Sequence, residues 1–296
     1  MSIHLKEIVF RFLYWFFFPL FVLTFSSIKG YTFLKITLTT KKYGIYNFKN
    51  LSILSISKNQ LKLITSLSQK KYRQKHNLFI AEGVKVVNEL LNSSFEVATI
   101  FCVDDFEINL PVEKIVRILD TDLKKISNLK TPNKVLGIFK IPEEKQLNKS
   151  GFTIALDTVN DPGNLGTIIR LCDWFGVTQL VCSKDTVDCY NAKVVQASMG
   201  SLTRIAIHYL DLKNYLSETN LPTFIADMDG ENVYKTTLPK EGILVMGNEA
   251  NGVSENVRNV VKHKISIPRF GETKETESLN VATATAILLS EFKRSI

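Results

Sequence analysis

The pattern of apolar and polar residues divides this chain into three parts. Residues 8–25 are almost entirely apolar or aromatic and are interrupted by Arg11 and Pro19. From residue 51 onward, short apolar runs alternate with segments whose apolar residues recur at helical spacing. Residues 142–151 are polar, lack apolar periodicity and end in glycine, which is typical of a linker. The predicted parts are an extension at 1–50, a first domain at 51–147 and a second domain at 148–296.

The first domain alternates strand-like and helical patterns. Ser57 stands before a segment in which Leu61, Ile64 and Leu67 recur at helical spacing, so we expect it to cap a helix. Four strand-like runs follow, and a helix is predicted over 84–92 between the first two. The runs are LFIAEG, VATIFCV, KIVRILD and VLGIFKI. This alternation predicts a small α/β domain.

The second domain repeats a strand, a glycine-bearing turn and a helix several times. Its first strand is FTIALDTV at 152–159, and the repeated order predicts a mostly parallel sheet with helices on both faces. Ligands of such sheets bind at the carboxyl ends of the strands. Three polar, glycine-bearing turns follow strands here, at 160–166, 247–254 and 268–280. The sequence therefore predicts a ligand site built from these turns.

The net charge of +8 is concentrated at one end of the chain. Residues 1–50 hold seven basic side chains and one acidic one, and residues 51–81 hold six basic side chains and no acidic one. The rest of the chain is net acidic. A basic block of this kind favours binding to a polyanion such as RNA, and it fits a solvated helix face equally well.

The apolar stretch at 8–25 allows several interpretations. Its length approaches that of a membrane span, roughly 20 residues, and no small-residue cleavage site follows to support a signal peptide. In a third interpretation, the stretch is upstream nucleotide sequence that was translated because the start codon was misassigned. We expect this, or a dispensable extension, rather than a membrane anchor. The expected location is cytoplasmic.

Cysteine and histidine positions argue against a metal site. Cys102, Cys172, Cys182 and Cys189 are scattered without a C-x-x-C pair, which predicts buried free thiols in a reducing compartment. No His, Cys, Asp and Glu cluster has the spacing of metal ligands. The first turn, GNLGT, lacks the lysine and spacing of a phosphate-binding P-loop and has only part of a dinucleotide fingerprint.

Three stretches together carry a resemblance that none carries alone. NDPGNLGTIIRLCDWFGV, LVMGNEANGVS and ISIPRFGETKETESLNVATATAILL resemble the three ordered motifs of the SPOUT superfamily, and more narrowly those of SpoU/TrmH-type RNA 2′-O-methyltransferases. SQKKYRQKHNLFIAEGVKVVNELL resembles the substrate-binding domain that precedes many RNA ribose methyltransferases and is similar to a ribosomal-protein fold. The resemblance covers about 57–296.

The resemblance implies a fold and an activity. The fold is a C-terminal SPOUT α/β trefoil-knot domain with a mostly parallel sheet, preceded by a small ribosomal-protein-like α/β domain that binds the substrate. The activity is transfer of a methyl group from S-adenosylmethionine (AdoMet) to a ribose 2′-OH, with ribosomal RNA favoured over transfer RNA. The family implies a homodimer and no metal. The alternatives are a transfer RNA 2′-O-methyltransferase and a non-catalytic RNA-binding protein of the same fold.

The resemblance also implies the site residues. It places cofactor binding at Gly247, Asn248, Ile267, Pro268 and Leu279. It places the catalytic machinery at Arg170, Asn164, Glu249, Ser278 and Asn280. The basic residues expected to grip RNA are Lys70, Lys71, Arg73 and Lys75.

Three of these residues also have an ordinary structural interpretation. Arg170 could be a surface arginine, Glu249 a capping carboxylate and Ser278 the N-cap of the last helix. The second motif departs from the usual N-E-G-x-G pattern because Ala250 replaces its first glycine. If that position requires a positive φ, alanine is strained there by roughly 1 kcal/mol.

Overall fold

The computed structural model describes residues 21–28, 31–38, 55–248, 250–272 and 278–294. The chain divides into two compact units, 1–52 and 53–296. In the first unit, β1 (Phe21–Ile28) pairs antiparallel with β2 (Tyr31–Leu38). Residues 8–20 of the predicted apolar stretch lie outside the described residues. Within the described part of the chain, no helix is long and apolar enough to cross a bilayer.

The second unit begins with a four-stranded lobe, which we call the substrate lobe (55–140). Its elements are α1 (Lys58–Ser66), α2 (Lys70–His76), β3 (Leu78–Glu82), α3 (Val84–Leu91), β4 (Val97–Cys102), β5 (Ile115–Arg117), α4 (Asp120–Ile126) and β6 (Val135–Lys140). The strand order is β3-β6-β4-β5, and only the β4–β5 pair is parallel. Ser57 caps α1 as predicted, because its Oγ accepts from the Gln60 amide at 3.2 Å while Gln60 Oε1 accepts from the Ser57 amide at 2.9 Å.

The remainder forms the second lobe (152–294), which is built around a parallel sheet. Its elements are β7 (Phe152–Leu156), α5 (Pro162–Trp174), β8 (Gln179–Ser183), α6 (Ala192–Ser198), β9 (Ala206–Leu210), α7 (Leu212–Glu218), β10 (Thr223–Asn232), β11 (Gly242–Met246), α8 (Glu255–Arg258), β12 (His263–Ser266) and α9 (Val281–Arg294). The strand order is β12-β10-β11-β7-β8-β9, and every neighbouring pair is parallel. The predicted parallel sheet is confirmed.

The central strands explain why the sheet needs helices on both faces. Strands β7, β8 and β11 are buried along their whole length. Successive side chains of a strand point to opposite faces, so Leu244 and Met246 of β11 join one apolar cluster and Ile243 and Val245 join another. The first cluster includes residues of α5, α6 and α9, and the second includes residues of α7 and α8. A continuous apolar run is the expected sequence of such a strand.

The two lobes share one apolar core. Phe79 of β3 packs against Tyr190, with 4.9 Å between the ring centroids. Buried residues of α3 and of α6 belong to the same cluster.

The four cysteines are buried and free, which confirms the prediction of buried free thiols. Burial raises the pKa of the Cys172 thiol to about 12, so it stays protonated at neutral pH.

Candidate active site

The first turn, between β7 and α5, is tied to the second turn, which follows β11. Asp157 is buried, and its Oδ2 accepts from the Ser254 amide at 2.8 Å and from the Ser254 hydroxyl at 2.5 Å. Asn248 Nδ2 donates to the Thr158 carbonyl at 2.7 Å. These bonds hold the two turns together at the carboxyl edge of the sheet.

Helix α5 begins with its own carboxylate cap. Asp161 Oδ1 accepts from the Asn164 amide at 2.8 Å, and Pro162 occupies the first helical position. The cap places a negative charge where a phosphate would otherwise meet free amides. This arrangement agrees with the absence of a phosphate-binding motif in the sequence.

The second turn is a tight loop closed by backbone bonds. The Asn248 amide donates to the Gly252 carbonyl at 2.8 Å, and the Gly252 amide donates back at 2.9 Å. Asn248 Oδ1 accepts from the Ala250 amide at 2.9 Å. A Cβ at Gly247 would lie 2.3 Å from the Gly252 carbonyl carbon, so glycine is required at that position. The strain predicted at Ala250 stays a prediction.

The third turn joins the first through two asparagines. Asn280 Nδ2 donates to Asn164 Oδ1 at 2.9 Å. Asn280 Oδ1 accepts from the Ala282 amide at 3.0 Å and from the Thr283 amide at 3.2 Å. Asn280 therefore caps α9, and the alternative in which Ser278 is the N-cap is wrong.

The second and third turns, with residues of β10, β11, β12 and α9, surround a cavity of about 640 Å³. Residues 160–166 of the first turn, which the sequence also placed at the ligand site, are not among those that line it. Six residues that the sequence assigned to the site line it: Gly247, Asn248, Ile267, Pro268, Ser278 and Leu279. Its other walls are mainly apolar, from Met246, Val253, Ile265, Val281 and Leu288. A volume between roughly 300 and 1,000 Å³ with apolar walls and a few polar groups is typical of a small-molecule site.

Sequence reasoning missed the charged groups of this cavity. Asp227, Arg258 and Arg269 line it, and Asp227 forms an ion pair with Arg258. Burial would raise the pKa of Asp227, but hydrogen bonds from the Asp229 amide and Arg258 outweigh that effect, so its pKa is lowered. The sequence offered only weak grounds for choosing Asp227. It lies in LPTFIADMDG, directly after the strand-like part, where a turn is predicted without an assigned role.

Comparison with known proteins identifies the family. The SpoU rRNA Methylase family matches residues 151–290, and the MRM3-like substrate binding domain matches 58–137. The 23S rRNA (guanosine(2553)-2′-O)-methyltransferase RlmP of Bacillus subtilis is 32% identical over 248 residues, which cover 79% of this chain and 96% of RlmP. This chain belongs to the SpoU rRNA methylase family.

Solved structures support the assignment of the SpoU protein. A TrmH-family putative RNA methyltransferase from Porphyromonas gingivalis is 35% identical, has a TM-score of 0.75, and covers 82% of this chain and 100% of its own. An AdoMet-bound rRNA methyltransferase from Sinorhizobium meliloti is 27% identical and has a TM-score of 0.71. The match covers 82% of this chain and 97% of the Sinorhizobium chain. The predicted SPOUT-type α/β fold with a preceding substrate-binding domain is confirmed, while the trefoil knot and the homodimer stay predictions.

The SpoU protein holds Arg170 outside the cavity of its own chain. Arg170 lies on the exposed side of α5 and is not among the residues that line the cavity. Its guanidinium forms no hydrogen bond or ion pair with any residue that the structure describes. Trp174, four residues further along the helix, is 85% exposed. Glu249 lies outside the described residues.

The predicted RNA-gripping residues divide into two groups. The basic run folds as the short helix α2, so its side chains point in different directions. Lys70, Lys71 and Lys75 are exposed and available to a polyanion. Arg73 is 2% exposed and forms an ion pair with Asp188. Because Arg73 is buried, its prediction as an RNA contact is wrong.

Proposed function

We propose that this SpoU protein is an AdoMet-dependent RNA methyltransferase that modifies a ribose 2′-OH of ribosomal RNA in the cytoplasm. The observation that carries the proposal is the cavity lined by the second and third turns, to both of which the first turn is hydrogen-bonded. RlmP, a relative over most of its length, is by name a 2′-O-methyltransferase of 23S rRNA. RlmB of Neisseria meningitidis, 31% identical over 157 residues, is also by name a 23S rRNA guanosine 2′-O-methyltransferase.

The cavity fits an AdoMet-sized ligand. Its apolar walls suit a purine, and the missing Cβ of Gly247 keeps the backbone of the second turn close-packed beside it. Ile267 and Leu279 line the cavity, and the proposal assigns their backbone polar groups to the purine. Among the described residues that line the cavity, Asp227 is the only carboxylate, and its lowered pKa keeps it charged. When bound, AdoMet supplies a methyl group on a positively charged sulfur, which needs no further activation.

The protein's own contribution is alignment and charge stabilisation. A ribose 2′-OH is a poor acid, so its oxygen gains negative charge as it attacks. A guanidinium keeps its proton in proteins, because its pKa lies above about 12. In this proposal a charged Arg170 stabilises that oxygen or holds the neighbouring phosphate. The hydrogen bond from Asn280 to Asn164 links the start of α5 to the third turn, whose residues line the cavity.

The exposure of Arg170 makes the homodimer part of the proposal. The Arg170 side chain lies outside the cavity of its own chain. In the proposed dimer, the exposed face of α5 in one copy lies against the cavity of the other copy. The ribose would then bind between Arg170 and the methyl donor. Measuring the molar mass in solution by light scattering tests this part, since a monomer with full activity would contradict it.

The substrate test uses the purified full-length protein and labelled AdoMet. Transfer of label to protein-free ribosomal RNA, and not to transfer RNA, supports the proposal. Label only on transfer RNA would favour a transfer RNA 2′-O-methyltransferase. AdoMet binding by calorimetry separates both from a non-catalytic RNA-binding protein, for which no binding is expected. Mapping 2′-O-methyl groups in RNA from cells lacking the gene then gives the nucleotide.

A further inference from the structure

One guanidinium joins the substrate lobe to the helix that carries Arg170. Arg204 Nη1 donates to Glu89 Oε2 at 2.9 Å, and Glu89 belongs to α3 of the substrate lobe. Arg204 Nε donates to Asp173 Oδ2 at 2.9 Å, and Arg204 Nη2 lies 2.9 Å from the same oxygen. Asp173 belongs to α5 and lies three residues after Arg170, so the bridge ends within one helical turn of that residue.

The neighbours of this bridge fix its geometry. Ser201 Oγ donates to Asp173 Oδ2 at 2.7 Å. Burial would raise the pKa of Asp173, but hydrogen bonds from Arg204 and Ser201 outweigh it and lower that pKa. Gly200 has φ +97°, and a Cβ there would lie 2.6 Å from the Glu89 Cβ. The backbone of the second lobe therefore contacts the stem of Glu89 directly.

A second ion pair joins the lobes elsewhere. Arg73 Nη2 lies 2.5 Å from Asp188 Oδ2, and Arg73 Nη1 also donates to the carbonyls of Leu67 and Ser68. The Arg73 pair is buried, whereas Arg204 is about half exposed. The two ion pairs therefore add two separate points of attachment to the apolar core that the lobes share.

We propose that Arg204 is a positioning residue for methyl transfer. By holding Glu89 and Asp173 together, it fixes the angle between the substrate lobe and α5, and so sets where the ribose of a bound RNA lies relative to Arg170. This inference rests on the proposed function. An ion pair of half-exposed side chains contributes little to overall stability, so loss of the bridge should leave the melting temperature unchanged and alter only the alignment of the lobes. Small misplacements of reacting groups, in contrast, slow reactions strongly.

The test compares Glu89→Gln with a matched control. Glu96→Gln removes a second exposed glutamate of the substrate lobe, which pairs with Lys140 at 2.7 Å inside that lobe. Single-turnover methyl transfer is measured with RNA and AdoMet both saturating, beside the Kd of each. Glu89→Gln is expected to slow the transfer by about 10-fold or more. Both Kd values should stay within about twofold because the phosphate contacts and the cavity are untouched. Glu96→Gln should leave all three quantities unchanged.

Arg204→Lys supplies the conservative variant. A lysine ammonium can hold one carboxylate but lacks the fork that spans two. Its transfer rate should therefore lie between those of wild type and Glu89→Gln, at an unchanged melting temperature. A Glu89→Gln rate equal to wild type would overturn the proposal. So would a loss of RNA affinity as large as the loss of rate, since Glu89 would then act in RNA binding.

An inter-lobe distance separates failure of this inference from failure of the proposed function. Spin labels on Lys85→Cys in α3 and Lys213→Cys in α7 report the lobe angle, because each lobe carries one label. Labelling is selective because both positions are exposed while the four native cysteines are buried. The inference expects a narrow distance distribution that broadens in Glu89→Gln, even if the wild type methylates no RNA. An unchanged distribution would contradict it whatever the activity.

Discussion

Asn280 donates a hydrogen bond from Nδ2 to Oδ1 of Asn164 at 2.9 Å, across 116 residues of sequence. The same Asn280 side chain caps α9 through its Oδ1. One residue therefore both begins the last helix and attaches the third turn to the first. Ser278 and Leu279, which directly precede Asn280, line the cavity.

Two substitutions at Asn280 separate these two tasks. Asn280→Asp keeps an oxygen that can cap α9 but lacks the donor to Asn164, so we expect an unchanged melting temperature and weaker AdoMet binding. Asn280→Ala loses both, and the lost cap should cost about 1 kcal/mol of unfolding free energy. Calorimetric titration and thermal unfolding measure the two effects. Equal AdoMet affinity in wild type and Asn280→Asp would show that the bond does not shape the cavity.

Gly247→Ala is expected to abolish AdoMet binding. The new Cβ would lie 2.3 Å from the Gly252 carbonyl carbon and 2.4 Å from the Val253 amide, so the second turn must shift. Gly271→Ala is the matched variant: Gly271 also lines the cavity, but a Cβ there meets nothing within 4 Å, so the third turn keeps its shape. Its affinity should stay close to that of wild type. Binding of AdoMet to Gly247→Ala with normal affinity would mean that this turn does not form the site.

The Asp227–Arg258 pair predicts a pH dependence. The pKa of Asp227 is lower in the folded protein, so its stabilising effect is complete above the unfolded value of about 3.9. The effect is lost as the pH falls through the lower folded value. Wild type should therefore melt at a higher temperature than Asp227→Asn at neutral pH, and the difference should shrink as the pH falls through the lowered pKa of folded Asp227. A difference that grows on acidification has the wrong sign for this account.

Substitutions at Arg73 and Lys71 should have opposite effects on stability and RNA binding, although the two residues are only two positions apart. Arg73→Ala leaves Asp188 without its partner, and breaking such a buried pair costs about 3–5 kcal/mol of unfolding free energy. Lys71→Ala should leave stability unchanged and weaken RNA binding. In that variant the slope of log K against log salt should fall by about 1, since one phosphate contact is lost. A stable Arg73→Ala variant with reduced RNA affinity would restore Arg73 as an RNA contact.

Sequence patterns predicted the features that local chemistry determines. The continuous apolar runs of β7, β8 and β11 require burial on both faces, and the structure confirms a parallel sheet covered by helices. The Ser57 cap was predictable because both of its hydrogen bonds are made with Gln60, three residues away.

Long-range contacts were not predictable in this way. The place of Arg73 is decided by Asp188, 115 residues away, and nothing in the basic run distinguishes Arg73 from Lys71. The Asp227–Arg258 pair forms because β10 and α8 meet in space, while the two residues are 31 positions apart. The exposure of Arg170 depends on which face of α5 packs on the sheet, and the motif alone does not give what covers the other face.

The most direct test of the account is Arg170→Ala, measured for AdoMet binding and for methyl transfer to ribosomal RNA in the same preparation. The account predicts AdoMet affinity equal to wild type, because Arg170 lies outside the cavity, together with loss of methyl transfer. Near-normal methyl transfer by Arg170→Ala would contradict it.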